Sequence, residues 1–398
     1  MKRYLNKENY FKTAVFIFIL TLPLWRNLNT WVLPVLIMSW LNVSSLTDKK
    51  KQFKNHKISL LYIYSLFLFI FLSVIHDFPK HDLLILVKYL GFLLIPLVFL
   101  SVSAEKIKIR FVFIALGTGL LIAMISSWGA VLYSIFDRPA NQYLKQSKYF
   151  FQWIYTGKNL LKPIDIHPSY FGVMLTFFIV ALFFENDFSK LRNKKLLFFI
   201  LSFLFLLFLL EITSRVAFLS FLLILLIMFF KKNTQFKIAS IFFIFFIFFI
   251  GLQFDFFNKK INTIFQEERY FRWIKILSCF FNDKKDVILG WGHLNAEKNY
   301  IKAYQAGGFE LARTQNYNAH NQYLEFFFRT GLFGLLFYIK TLKHFIQKTK
   351  LKNSAMFFLV IIIVFSFGES FLERNKGIFF FTTFYSILIN NYAFKKTK

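Results

Sequence analysis

Three guanidinium groups and one imidazole stand where they could handle a phosphate ester and a proton. Arg215 closes Glu211-Ile212-Thr213-Ser214-Arg215, a turn of a few residues between two apolar runs. With so little slack it is held at the edge of both runs. There it can anchor the interface, pair with Glu211 one helical turn earlier, or offer its planar fork to a phosphate. Arg269 and Arg272 lie in Glu267-Glu268-Arg269-Tyr270-Phe271-Arg272-Trp273. If that stretch is helical the two arginines share neighbouring faces. They suit a diphosphate, a solvated charge run, or stacking on Trp273. His320, in Ala319-His320-Asn321-Gln322-Tyr323, stands where a long loop re-enters an apolar run. Imidazole can move a proton near neutrality, and it can equally serve as a hydrogen-bonded cap.

A second tier of residues surrounds these. His167-Pro168-Ser169-Tyr170 opens another apolar run, with Pro168 suited to a first helical turn and His167 at the water boundary, as a cap or a substrate contact. Lys88 lies within an apolar run, so its ammonium either snorkels to the interface or faces a polar cavity. Glu369, Glu373 and Arg374 read as a local, structural ion pair. Gly290-Trp291-Gly292 is no phosphate loop, because neither a strand–turn–helix context nor a following Lys-Ser/Thr is present. Cys279 is the single cysteine and cannot close an intramolecular disulfide. No metal site and no cofactor is expected from these residue types and spacings.

The elements that must hold these side chains are apolar. The 398 residues are 57% hydrophobic and 17% charged, with mean hydropathy +0.52 and a net charge of +29. That composition excludes a soluble multidomain enzyme. Apolar runs of roughly 15 to 20 residues match the hydrocarbon thickness of a bilayer. Twelve are expected, at residues 11–25, 28–46, 58–75, 83–102, 111–136, 168–184, 196–212, 216–230, 237–252, 323–339, 355–372 and 377–394. They are longer than barrel strands and do not alternate, so the fold class is all-α, a polytopic transmembrane helical bundle. The first run lacks a small-residue cleavage site and is read as a retained membrane helix. With the basic residues between spans, nucleic acid is not expected as a partner, and the anionic bilayer surface accounts for the charge.

Lys and Arg also set the orientation. With the N-terminus cytoplasmic, each inward segment carries three to five of them, whereas the short outward turns carry one or two. Both termini are then cytoplasmic. Two outward loops are long, residues 137–167 and 253–322. The second mixes Trp273, Trp291, Tyr300, Tyr304 and Tyr317 with aliphatic residues, and an amphipathic helix is expected over residues 269–281. Three regions follow: spans one to nine over residues 1–252, a folded cap over 253–322, and spans ten to twelve over 323–398. No internal repeat is visible, unlike many secondary transporters.

In this order and placement, Ser214-Arg215 in a tight outer turn, the Arg–Trp stretch leading to Leu289-Gly290-Trp291-Gly292, and Ala319-His320-Asn321 leading to Thr330-Gly331-Leu332-Phe333-Gly334 resemble the O-antigen ligase and O-antigen polymerase superfamily. His167-Pro168-Ser169-Tyr170 and Glu369-Ser370-Phe371-Leu372-Glu373-Arg374 are similar to the version common in Bacteroidetes. The resemblance covers nearly the whole chain. It implies a GT-C-like glycosyltransferase of the bacterial inner membrane, with a periplasmic active site and no cofactor. The implied donor is an undecaprenyl-diphosphate-linked glycan. The acceptor is lipid A–core in a ligase, or another lipid-linked glycan in a polymerase.

The superfamily's two loop arginines and one histidine carry over to Arg215, Arg269 and His320, with Arg272 a neighbouring alternative for the second arginine. Arg272, His167, Tyr170, Ser214, Asn321 and Lys88 are assigned as candidate substrate contacts. Arg269 has Phe280 as its eleventh successor, so the Arg-x₁₀-Gly pattern of some polymerases is not evident there and ligase is the leading reading. A flippase or transporter of the same lipid-linked sugar is the third reading; it predicts charges buried mid-membrane, whereas these gather at the outer ends of helices.

Overall fold

The computed structural model describes residues 7–76, 83–136, 155–185, 188–231 and 268–393. All regular structure among them is helical. The expected ninth span at 237–252 and the start of the cap, through residue 267, lie outside the described residues.

Long apolar helices come first: α1 (Lys7–Leu20), α2 (Leu28–Val43) and α3 (Leu46–His76). The expected fourth span is broken into α4 (Ile85–Tyr89) and α5 (Gly91–Leu100). Then follow α6 (Ile109–Phe136), α7 (Pro168–Phe184), the short α8 (Ser189–Asn193), α9 (Lys195–Glu211) and α10 (Arg215–Lys231). The cap supplies α11 (Arg269–Phe280), α12 (Lys284–Leu289), α13 (His293–Ala306) and α14 (Glu310–Thr314). Three helices close the chain: α15 (Gln322–Thr349), α16 (Asn353–Gly368) and α17 (Asn375–Tyr392). α3 and α6 are long and apolar enough to cross a membrane, and α2, α7, α16 and the joined α4–α5 segment are shorter apolar helices.

α7 is apolar on all sides, and both it and α17 are buried over nearly their whole length, which makes them the axis of the bundle. Phe177 of α7 packs edge-on against Phe380 and Phe384 of α17. The outer helices instead expose large apolar side chains, among them Trp31, Leu196, Phe199 and Phe230.

The ends of the bundle differ. At one end Lys49 and Lys106 donate to the carbonyls of Leu41 and Val43, and Ser354 bonds to Glu185. At the other end gather the α1–α2 and α9–α10 turns, the entry to α7, the α16–α17 loop and the cap. These are the segments expected to share one face.

The cap has a core of its own, in which Phe280 meets Trp291 and Phe328. It docks on a break in α15. Gly331 adopts φ 67°, which interrupts the helix and strips the carbonyls just before it of helical partners. Trp291 N–H donates to Phe328 O at 2.7 Å and Gly292 N–H to Arg329 O at 3.2 Å, replacing those bonds. The approach is so close that a Cβ on Gly331 would stand 2.1 Å from Ile288 O, and one on Gly290 2.5 Å from Gly331 N. Gly331→Ala therefore combines a left-handed backbone with a backbone clash. It is expected to cost about 2–4 kcal/mol, read as a lowered thermal midpoint of the purified protein.

Candidate active site

A cavity of about 1560 Å³ opens at the cap end of the bundle. Ten lysine and arginine side chains line it, against only three carboxylates, Glu297, Glu369 and Glu373. Arg215, Arg269, Arg272, His320, His167, Ser214 and Lys88 are all on its wall. Sequence positions spread over more than 200 residues thus meet in one place.

His320 is held by its neighbours on the chain and across it. Its backbone is left-handed (φ 48°), and its N–H donates to Asn318 Oδ1 at 3.0 Å, a local turn that Asn favours. On one side, Trp273 Nε1 donates to Ala319 O at 2.7 Å. On the other, Asn321 caps α15, its Oδ1 accepting from the N–H groups of Tyr323 and Leu324. The imidazole Nδ1 lies 3.1 Å from Glu369 Oε2, and Ser169 Oγ donates to Glu369 Oε1 at 3.0 Å. An ionised carboxylate only accepts, so Nδ1 carries the proton and Nε2 is left as the basic atom of the neutral ring.

Burial pushes the Glu369 carboxyl up. The hydrogen bond and charge of His320, with the nearby His167 and Arg269, outweigh burial and hold it below the usual range.

The arginines take different postures. Arg269 Nη1 donates to Gly368 O at 2.9 Å, which seats it beside Glu369. Arg272 is buried, with its guanidinium 5.3 Å from the Tyr317 ring and 5.9 Å from the Tyr304 ring. It stacks on these tyrosines, while Trp273 spends its indole N–H on Ala319. Tyr317 also meets the His320 ring edge-on at 5.3 Å. Arg215 is the first residue of α10, where the helix N-terminus adds to its charge and favours an anion. Glu211 accepts from Trp128 Nε1 at 2.7 Å.

A second buried cluster floors the cavity. Arg329 pairs with Glu325 and lies 3.9 Å from Glu373, which accepts from Tyr89 Oη at 2.6 Å and sits 3.6 Å from Lys88 Nζ. Burial raises the Glu373 carboxyl, but Arg329 and Lys88 more than reverse this and hold it well below the usual carboxylate range.

Glu369 and Glu373 are therefore not the local pair with Arg374 expected from the sequence. Each reaches across the fold, to His320 and to Lys88 with Arg329. Arg329 was not singled out beforehand; its one signal was a charge inside an apolar run with Glu325 four residues earlier. Lys88 is tied to Glu373 rather than snorkelling alone. Two assigned contacts do not line the cavity. Tyr170 is buried against Phe365 at 5.3 Å and His167 at 6.0 Å, and Asn321 is spent on the α15 cap. His167 both caps α7, its Nδ1 accepting from Ser169 N–H, and faces the cavity.

A family model described as O-antigen ligase matches residues 197–339, from α9 to the part of α15 beyond its break. No curated protein matches the chain.

Proposed function

We propose, from the match of residues 197–339 to a family model described as O-antigen ligase, that the chain is a ligase- or polymerase-type glycosyltransferase and moves a glycan from undecaprenyl diphosphate to a sugar hydroxyl of lipid A–core. The observation that carries this reading is the convergence of Arg215, Arg269 and the His320–Glu369 pair on one cation-rich cavity. The apolar outer surface and the two described helices long and apolar enough to cross a bilayer support a membrane protein, which we read as a multi-pass protein of about twelve spans in the bacterial inner membrane. In that arrangement both termini are cytoplasmic and the cavity opens on the periplasmic side.

The chemistry follows from the residues. The acceptor hydroxyl oxygen attacks the anomeric carbon and its proton passes to His320 Nε2. The bond from that carbon to the diphosphate oxygen breaks on the opposite face, inverting the centre, and its electron pair stays with undecaprenyl diphosphate. Negative charge grows on that leaving group, so fixed guanidinium groups stabilise the transition state more than the bound substrate. Glu369 keeps His320 in the required tautomer and offsets the positive charge the ring gains. Arg269 is the better placed of the two cap arginines, because its tether at Gly368 sets it beside this pair whereas Arg272 is enclosed by tyrosines.

Purified protein supplied with an undecaprenyl-diphosphate glycan and lipid A–core tests the reading. Transfer to lipid A–core is expected; transfer only to a second lipid-linked glycan makes the protein a polymerase, and transfer to neither removes the proposal.

Glu369→Gln should lower kcat about 10- to 100-fold with little change in KM, the worth of one hydrogen bond to a charged group. The Glu369 carboxyl sits below its ordinary value, so its contribution is complete above the usual carboxylate range and fades as pH falls through the lowered value. The wild-type advantage over the Gln variant should accordingly persist at every pH above the usual carboxylate range and shrink only at more acidic pH, as read from kcat–pH profiles.

A further inference from the structure

Once Arg215 and Arg269 serve the donor, a second set of cations in the same cavity has no task. Arg26, Lys158 and Arg374 reach the cavity from three separate segments, the α1–α2 turn, the stretch before α7 and the loop before α17. All three are exposed to it, and among the described residues none forms an ion pair with a carboxylate. Their segments are fastened to one another. Trp25 Nε1 donates to Pro163 O at 3.2 Å, joining the α1–α2 turn to the stretch that carries Lys158. The buried Lys376 ammonium donates to Thr21 O, Leu24 O and Asn29 Oδ1, pinning the first turn of α17 to the same α1–α2 turn. Lys376 is thus consumed as a brace, while its three neighbours are left facing the cavity. Tertiary contacts that gather like charges work against their repulsion, which an anion in their midst reverses.

Their position relative to the reacting pair is informative. Lys158 and Arg374 act electrostatically on His167, as do Glu369 and His320. Arg269, on the donor side, acts on Glu369. The cavity that holds His320 and Glu369 thus carries two groups of cations, Arg215 with Arg269 and Arg26 with Lys158 and Arg374. A transfer reaction with two anionic substrates has a use for both.

We propose that Arg26, Lys158 and Arg374 form a second anion subsite, which holds a phosphate carried by the acceptor while the donor diphosphate occupies the Arg215–Arg269 side. This rests on the reading of the cavity as a glycosyl-transfer site. The phosphate can sit on a sugar near the acceptor hydroxyl or be the diphosphate of a second lipid-linked glycan, and the chemistry of recognition is the same.

The test is equilibrium binding to the full chain in nanodiscs of neutral lipid, with no donor present. Three probes are compared: a phosphorylated core oligosaccharide, the same after phosphatase treatment, and a short-chain polyprenyl-diphosphate glycan. Arg215→Ala protein is measured beside wild type, so that any binding owed to the donor-side arginine shows as a difference between the two. A phosphate-bearing probe should bind at least about tenfold more tightly than the phosphatase-treated one, the worth of one charge-assisted hydrogen bond. The advantage should survive Arg215→Ala, vanish in Arg26→Gln/Lys158→Gln/Arg374→Gln, and return in large part in Arg26→Lys/Arg374→Lys, which keeps the charge. Whether the oligosaccharide or the lipid-linked probe shows it identifies the source of the phosphate. Equal binding of all probes by wild type, or an advantage that survives the triple Gln variant, overturns the subsite. Full transfer activity in Arg215→Ala instead overturns the donor reading, so the two failures are distinct.

Discussion

His320→Ala should lower kcat for glycan transfer by about 10²- to 10⁴-fold, the range a positioned general base contributes. KM for the donor should change little, because the proposed mechanism gives the diphosphate contacts to the arginines. The expectation rests on geometry rather than on the presence of a histidine. Nδ1 is occupied by Glu369, the ring is wedged against Tyr317, and the backbone on either side is fixed by Trp273 and by the α15 cap. A ring held this firmly presents Nε2 in one place, which is what proton removal in the transition state requires. Were His320 only a loop brace, its removal would lower the thermal midpoint and leave the kcat of the folded fraction within a few fold. Measuring both quantities on one preparation separates the two roles.

Arg215→Ala should lower kcat about 10²- to 10³-fold, the cost of removing one preorganised donor from developing negative charge. Arg215→Lys should recover only part of this, since an ammonium keeps the charge and loses the planar fork. The effect should appear in kcat more than in KM, because charge on the leaving diphosphate is greatest in the transition state. Arg269→Ala should behave alike, whereas Arg272→Ala should reduce stability through its lost stacking on Tyr304 and Tyr317. Steady-state kinetics with thermal melts on the three variants checks the ordering.

The helical class and the candidate side chains could be read in the chain because both are local signals. Apolar runs announce helices whatever they pack against, and an arginine in a five-residue turn between two such runs has few places to go. Pairings between distant segments could not be read. Nothing local to Glu369 or Glu373 indicates that one meets His320, 49 residues earlier, and the other Tyr89, 284 residues earlier. Proximity in sequence suggested a pair with Arg374, and tertiary packing overrode it. Asn321 and Tyr170 err in the other direction. They sit within motifs that reach the cavity, yet a cap and an aromatic contact use up their side chains. The glycines lie between these cases. Gly290, Gly292 and Gly331 were conspicuous in sequence, but their reason emerges only when the broken α15 hands its carbonyls to the Trp291 and Gly292 N–H groups.

A structure of the full chain with undecaprenyl diphosphate bound tests the central claim most directly. The diphosphate should lie within hydrogen-bonding distance of the Arg215 and Arg269 guanidinium groups, with His320 Nε2 facing the space where the anomeric carbon would stand. Diphosphate density at the opposite end of the bundle, among Lys49 and Lys106, or in contact with neither arginine, would contradict it.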